Sequence, residues 1–218
     1  VAQTDAIGHI GARHESTSAY MATAVHAATG QIAVAFSELG PGTSNVVAVA
    51  AGNSFSLALK SDGTVSGWGI GGGGQTTIPS GLNGVVTLAA GADHSLALRS
   101  DGTVVAWGAN SNSQLNIPSG LSGVVAVAAG SYHSLALKSD GTVIAWGYIG
   151  SAQSTVPAGL SGVVAVAAGQ DHSLALKSDG SVVAWGNNSN GQTSVPAGLS
   201  GVVAVYTKFL NNMALKSD

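Results

Sequence analysis

Apolar and polar positions along this chain repeat in long units. Pairs of valines at Val46, Val85, Val124, Val163 and Val202 each open a mostly apolar run. Residues 163–168 are apolar at every position, the pattern of a strand buried on both faces. His172–Lys177 alternates more and reads as a second strand. Ser178-Asp179-Gly180 follows as a tight turn, in which Gly supplies a positive φ. Residues 182–185, ending in Trp185, read as a third strand, and a polar connector containing Pro196 leads to the next unit. Trp68, Trp107, Trp146 and Trp185 are 39 residues apart, as are Gly52, Gly91, Gly130 and Gly169. A fixed period of this size marks stacked supersecondary units. Three antiparallel strands per unit predict an all-β fold, a β-propeller of about five three-stranded blades spanning residues 46–218. The glycine density and the β-branched runs argue against a helical repeat.

Residues 1–45 have a different pattern and form a separate N-terminal helix–strand segment. Residues 15–28 are Ala-rich, with Met21 and Val25 four apart, and predict a helix ending at Gly30. Residues 31–36 alternate Ile32, Val34 and Phe36 with Ala33 and Ala35, which predicts a strand. The fifth unit stops at Asp218, before its third strand. Aligning Phe36 with Trp107 matches the in/out alternation of residues 31–36 to that of a third strand. The expectation is that residues 31–36 complete the last blade beside Asn211–Lys216. That pairing would lie within one chain, or between two chains as a strand-swapped homodimer.

Composition narrows the function classes. Of 218 residues only 8% are charged, against about 25% in an ordinary soluble domain. Gly numbers 32, and the apolar share is 45%. That mix suits a turn-rich β protein and argues against disorder. The net charge of −3 comes without a basic patch, so the electrostatic footprint of nucleic-acid binding is missing. No apolar run reaches the ~18 residues of a membrane span. The first residues lack the pattern of a signal peptide, and an opening Val1 suggests that the chain begins after processing. Cysteine is absent, which excludes disulfides, thiolate metal sites and a Cys nucleophile and leaves the cellular compartment undetermined.

Comparing the units locates a candidate site. In a blade, the turn between strands one and two and the start of the connector lie on one face, and the Ser-Asp-Gly turn lies on the other. Differences between units cluster at residues 53–55, 92–93, 131–132 and 170–171, and at 70–73, 109–112, 148–152 and 187–190. All of these belong to the first face. The opposite face repeats Lys/Arg-Ser-Asp in every unit. The varied face is therefore the candidate protein-binding surface, with Phe55, Asp93, Asn110, Tyr132, Tyr148, Ile149, Asp171 and Asn188 as its candidate residues. Unconstrained drift of loops produces the same pattern. His94, His133 and His172 recur in register, but Phe55 and Asn211 hold the equivalent places, so a hydrogen-bonding role at the start of strand two is preferred to a metal ring. No catalytic residue, metal site or cofactor is assigned.

Two resemblances add to this reading. The string His-Ser-Leu-Ala-Leu-Lys-Ser-Asp-Gly-Thr-Val, with Trp-Gly and the Asn-Gly-Gln…Val-Pro connector, resembles the regulator of chromosome condensation repeat. It is similar also to propeller-type β-lactamase inhibitory proteins, whose rings of three-stranded blades grip an enzyme with loops on one face. That implies a non-enzymatic propeller binding another protein. The helix–strand–Gly40-Pro41-Gly42 order of the N-terminal segment resembles a fragment of the pyrimidine-binding domain of thiamine-diphosphate-dependent enzymes. In that family the glutamate matching Glu15 activates the cofactor. The resemblance stops near Asn45. Two alternatives follow: a recombined or engineered chimeric chain with no evolved activity, or a remnant of a thiamine-diphosphate enzyme.

Overall fold

A computed structural model describes residues 46–217 together with the backbone of β1 (Val25–His26) and β2 (Ile32–Ala33). Everything described is strand, turn or loop. The first blade is β3 (Val46–Ala51), β4 (Phe55–Lys60) and β5 (Val65–Gly69). The second is β6 (Val85–Ala90), β7 (His94–Arg99) and β8 (Val104–Gly108). The third is β9 (Val124–Ala129), β10 (His133–Lys138) and β11 (Val143–Gly147). The fourth is β12 (Val163–Ala168), β13 (His172–Lys177) and β14 (Val182–Gly186). The fifth contains β15 (Val202–Lys208) and β16 (Asn211–Lys216), a two-stranded sheet among the described residues. In each three-stranded sheet the second strand lies in the middle and pairs antiparallel with both neighbours.

Local chemistry sets these hairpins. In the Ser178-Asp179-Gly180 turn, Asp179 Oδ1 accepts a hydrogen bond from the Ser181 backbone N–H at 2.9 Å. Gly180 has a φ of 78°, which a side chain would oppose. Asp101 and Asp140 do the same for Thr103 and Thr142. The outer side of the turn is tied back to the connector, Ser178 N–H donating to Gly162 O at 2.9 Å.

The middle strand divides its side chains between two neighbouring blades. Leu135 and Leu137 of β10 pack against Val163, Ala175 and Trp185 of the fourth blade, and Leu96 and Leu98 of β7 pack against Val124, Ala136 and Trp146 of the third. The core is thus a series of seams between successive blades, from first-to-second through fourth-to-fifth. Among the described residues no such cluster joins the fifth blade to the first. Those two meet beside the axis, where Lys208 Nζ donates to Ala51 O at 3.1 Å.

The innermost strands differ from expectation. In β12, Val163 pairs with Lys177 and Ala165 with Leu176, so Val164 is the extra residue of a β-bulge. Val164 is 54% exposed and the alanines are only half-buried. The run is apolar without being buried on both faces, because the inner strands converge on the axis. Their ends surround a small mouth of about 170 Å3 lined by residues of all five blades, among them Ala51, Gly91, Gly130, Gly169 and Lys208.

The N-terminal expectations fare differently. Val25–His26 is extended and pairs with Ile32–Ala33, so the described part of residues 15–28 is strand instead of helix. Ile32–Ala33, the described part of residues 31–36, is a strand as expected and pairs with Val25–His26, while the rest of the expected closing strand lies outside the described residues. A short local hairpin closes with far less loop entropy than a pairing across the whole chain. The rest of residues 1–45, including Glu15 and Gly40-Pro41-Gly42, lies outside the described residues.

Candidate functional site

Four backbone hydrogen bonds bring the varied segments together. Ile70 N–H donates to Ser54 O, Ala109 N–H to Asp93 O, Tyr148 N–H to Tyr132 O and Asn187 N–H to Asp171 O, each at 2.8–2.9 Å. In each of the first four blades the turn after the inner strand thus touches the start of the connector. The Lys/Arg-Ser-Asp turns stand at the other end of the strands.

On this face Tyr132 is 39% exposed, Tyr148 42% and Ile149 73%. The two tyrosine rings stack edge-to-face with centroids 6.4 Å apart. Asp93, Asn110 and Asn188 are exposed, and Asp171 is half-buried, accepting from Gln170 Nε2 at 3.1 Å. Asn110 and Asn188 also shape their own connectors: Asn110 Oδ1 accepts from Leu115 N–H and Asn188 Oδ1 from Thr193 N–H, both at 2.9 Å. Phe55 is a correction. It is 3% exposed and packs in the seam between the first and second blades, because its place at the start of β4 points toward the neighbouring blade. Three apolar residues of this face were not singled out, Ile70 at 64% exposure, Phe209 at 49% and Leu210 at 39%. Phe209 stands where the fourth unit has Gln170, a substitution visible once the fifth copy is aligned.

Beneath the face, a polar relay crosses each seam from second-to-third through fourth-to-fifth. His94 Nε2 lies 3.0 Å from Ser134 Oγ, Ser134 Oγ donates to Gln114 O at 3.0 Å, and Trp146 Nε1 donates to the same carbonyl at 2.8 Å. The next seam repeats this with His133, Ser173, Gln153 and Trp185. At the fourth-to-fifth seam Asn212 replaces the serine, its Oδ1 2.6 Å from His172 Nε2 and its Nδ2 donating to Gln192 O at 2.6 Å. The glutamine side chains fold back on their connectors, Gln114 Oε1 accepting from Asn112 N–H at 2.8 Å. These buried glutamines are functional parts of the scaffold that the motif string contained without revealing their task.

Since the serine hydroxyl gives its proton to a carbonyl, it accepts from histidine, and Nε2 carries the imidazole proton. Nδ1 of His94 and His133 is then a buried acceptor without a protein partner. Desolvation lowers the pKa of His94 to about 4. It lowers that of His133 to about 3, with smaller contributions from the neighbouring histidines. Neutral imidazoles locked in seams are structural. Among the described residues no group of three or more His, Cys, Asp or Glu could hold a metal ion. The metal-held diphosphate of a thiamine enzyme therefore finds no fitting residues among them.

The regulator of chromosome condensation (RCC1) repeat profile matches residues 46–75, 85–114, 124–150 and 163–192, more than half of the chain and in step with the first four blades. The chain belongs to the RCC1 repeat family. Among solved structures the RCC1-type chain is similar to Prp20p from Saccharomyces cerevisiae, at 21% identity and a TM-score of 0.68, over 78% of this chain and 56% of that one. It is similar to human WBSCR16 at 21% identity and a TM-score of 0.67, over 84% and 60% respectively. It is also similar to the ectodomain of the receptor kinase CR4 from Physcomitrella patens, at 23% identity and a TM-score of 0.67, over 82% and 51%. These likenesses establish the fold, and the chain spans about half to three-fifths of each relative's length. No curated protein matches it in sequence. The profile of the thiamine pyrophosphate enzyme N-terminal TPP binding domain matches residues 1–57, overlapping the first RCC1 repeat.

Proposed function

We propose that this RCC1-type propeller is a non-enzymatic scaffold that binds another protein through its varied loop face. The observation that carries the reading is the exposed cluster of Tyr132, Tyr148 and Ile149 on that face, in a third blade whose own turn at the other end repeats the Lys/Arg-Ser-Asp of its neighbours. Tyrosines are enriched among the residues that dominate binding energy, and their rings lose little entropy on contact. Asp93, Asn110, Asp171 and Asn188 extend the face around this cluster as a polar surround. The relatives give the reading a precedent: Prp20p is described with its binding to Gsp1p and histones, and bound to Kap60. A screen against candidate proteins, β-lactamases included, tests it. Binding by the intact chain that is lost in the Tyr148→Ser/Ile149→Ser double variant supports the reading. Binding that the double variant keeps removes these residues from the site.

A second reading rests on the thiamine-enzyme match at residues 1–57: the chain is a recombination of two unrelated pieces with no evolved activity. Glu15 is then a leftover. Titration calorimetry with thiamine diphosphate and magnesium is expected to give no heat. Saturable heat that disappears in Glu15→Gln would point to a residual cofactor site.

A further inference from the structure

Charge is divided unequally between the two faces. On the uniform face, carboxylates are answered within their own turns: Arg99, Lys138 and Lys177 lie 3.8, 3.1 and 3.2 Å from Asp101, Asp140 and Asp179. In the varied segments of the first four blades the only charged residues are Asp93 and Asp171. Asp171 accepts from the neutral amide of Gln170. The exposed carboxylate of Asp93 makes no hydrogen bond or ion pair among the described residues. Lys208, at the corresponding end of the fifth blade, is engaged with Ala51 O.

These two carboxylates flank the tyrosines. Asp93, Tyr132 and Asp171 occupy the same place in successive blades, each just before the histidine that opens the middle strand. The relays from His94 to Ser134 and from His133 to Ser173 join those strands across the seams. Ser131 N–H also donates to Gly169 O at 3.2 Å, tying the turn before Tyr132 to the turn before Asp171. The order along the face is carboxylate, tyrosine pair, carboxylate, with Ile149 next to Tyr148. The pair is positioned in advance: Tyr148 lies back over Gly150, where a Cβ would stand 2.2 Å from its hydroxyl. In an edge-to-face pair, the ring that presents its edge keeps both of its own faces clear of the other ring.

Resting on the loop-face reading above, we propose that the partner's docking segment carries an arginine beside an apolar side chain. The guanidinium lies on an open tyrosine face and donates to the Asp171 carboxylate, and Asp93 attracts it from the other side. The apolar neighbour covers Ile149. A guanidinium is planar and weakly hydrated, so it can serve an aromatic face and a carboxylate together, which an ammonium does less well. An acidic segment would meet two carboxylates that nothing on this face neutralises, and like charges suppress wrong partners.

The probe is a displayed library of random linear peptides, selected on the full chain and counter-selected on Tyr148→Ser/Ile149→Ser. Recovered sequences are expected to be enriched in Arg next to Leu, Ile or Phe. A fluorescent synthetic copy of the most enriched peptide is then titrated by anisotropy. Asp93→Asn/Asp171→Asn is expected to weaken it about tenfold, and to have no effect on a peptide whose Arg is replaced by Gln. Asp140→Asn/Asp179→Asn, the same change of net charge on the uniform face, is expected to leave binding as it was. Peptides that need Tyr148 and Ile149 but show no Arg enrichment overturn the inference and leave the loop-face reading standing. So does undiminished binding by a folded Asp93→Asn/Asp171→Asn chain, or an equal loss in Asp140→Asn/Asp179→Asn. Recovery of no peptide that depends on Tyr148 and Ile149 overturns the inference together with the reading it rests on.

Discussion

His94 and His133 show how a single buried group ties stability to pH. Unfolded, each imidazole takes a proton near pH 6.5; folded, it resists until about pH 4 and about pH 3. The unfolded state binds more protons through that interval, so their contribution is complete above pH 6.5 and is lost as pH falls. At pH 5 the loss is about 2 kcal/mol for each histidine. Urea midpoints at pH 7 and pH 5 measure it. His133→Phe, which copies the Phe55 found at the equivalent position of the first blade, is expected to remove one histidine's share of the acid sensitivity. The role of these histidines was only half legible in the sequence. Their 39-residue recurrence and the departures at Phe55 and Asn211 argued for hydrogen bonding over a metal ring. Their partners, Ser134 and Ser173, were hidden because the contact crosses to another repeat, 40 residues away.

At the scale of the element, the glycine that follows each inner strand is a tight point. A Cβ at Gly130 would stand 2.2 Å from the His133 ring and 2.5 Å from Gly169 O of the next blade. Gly130→Ala is therefore expected to destabilise the chain by about 1–3 kcal/mol through overpacking, read from thermal melts. Third-strand tryptophans matter for the opposite reason: Trp146→Ala empties a socket and is expected to cost about 3–5 kcal/mol. The strands and hairpins were legible because binary pattern and turn chemistry agree in every unit, down to the Asp that accepts from the residue two positions on. Burial of the inner strand was misjudged. A run of Val and Ala looks the same whether it is enclosed or lines an axis, and the bulge that turns Val164 outward has no signature in the sequence. Residues 25–26 were misread as helix because an Ala-rich pattern cannot exclude a short local hairpin, whereas 32–33 form a strand as read.

At the scale of the whole molecule, blades couple only to their neighbours, so stability is expected to vary along the array. Amides of β7, β10 and β13, whose side chains are almost wholly buried, should exchange far more slowly than those of β16, where every residue is exposed; hydrogen exchange read by mass spectrometry checks this. The fold class was legible from the period alone. The varied face was legible from topology, with Phe55 the exception, since a position beside a variable turn can still point into a seam. What no repeat comparison contains is the partner, because the residues that differ between units are under no common constraint. The most direct measurement is a paired comparison of the two faces against one bound protein. Tyr148→Ser/Ile149→Ser is expected to abolish binding, while Lys138→Ala/Asp140→Ala on the uniform face leaves the affinity unchanged. Loss of binding from the uniform face, with the varied face indifferent, would contradict the account.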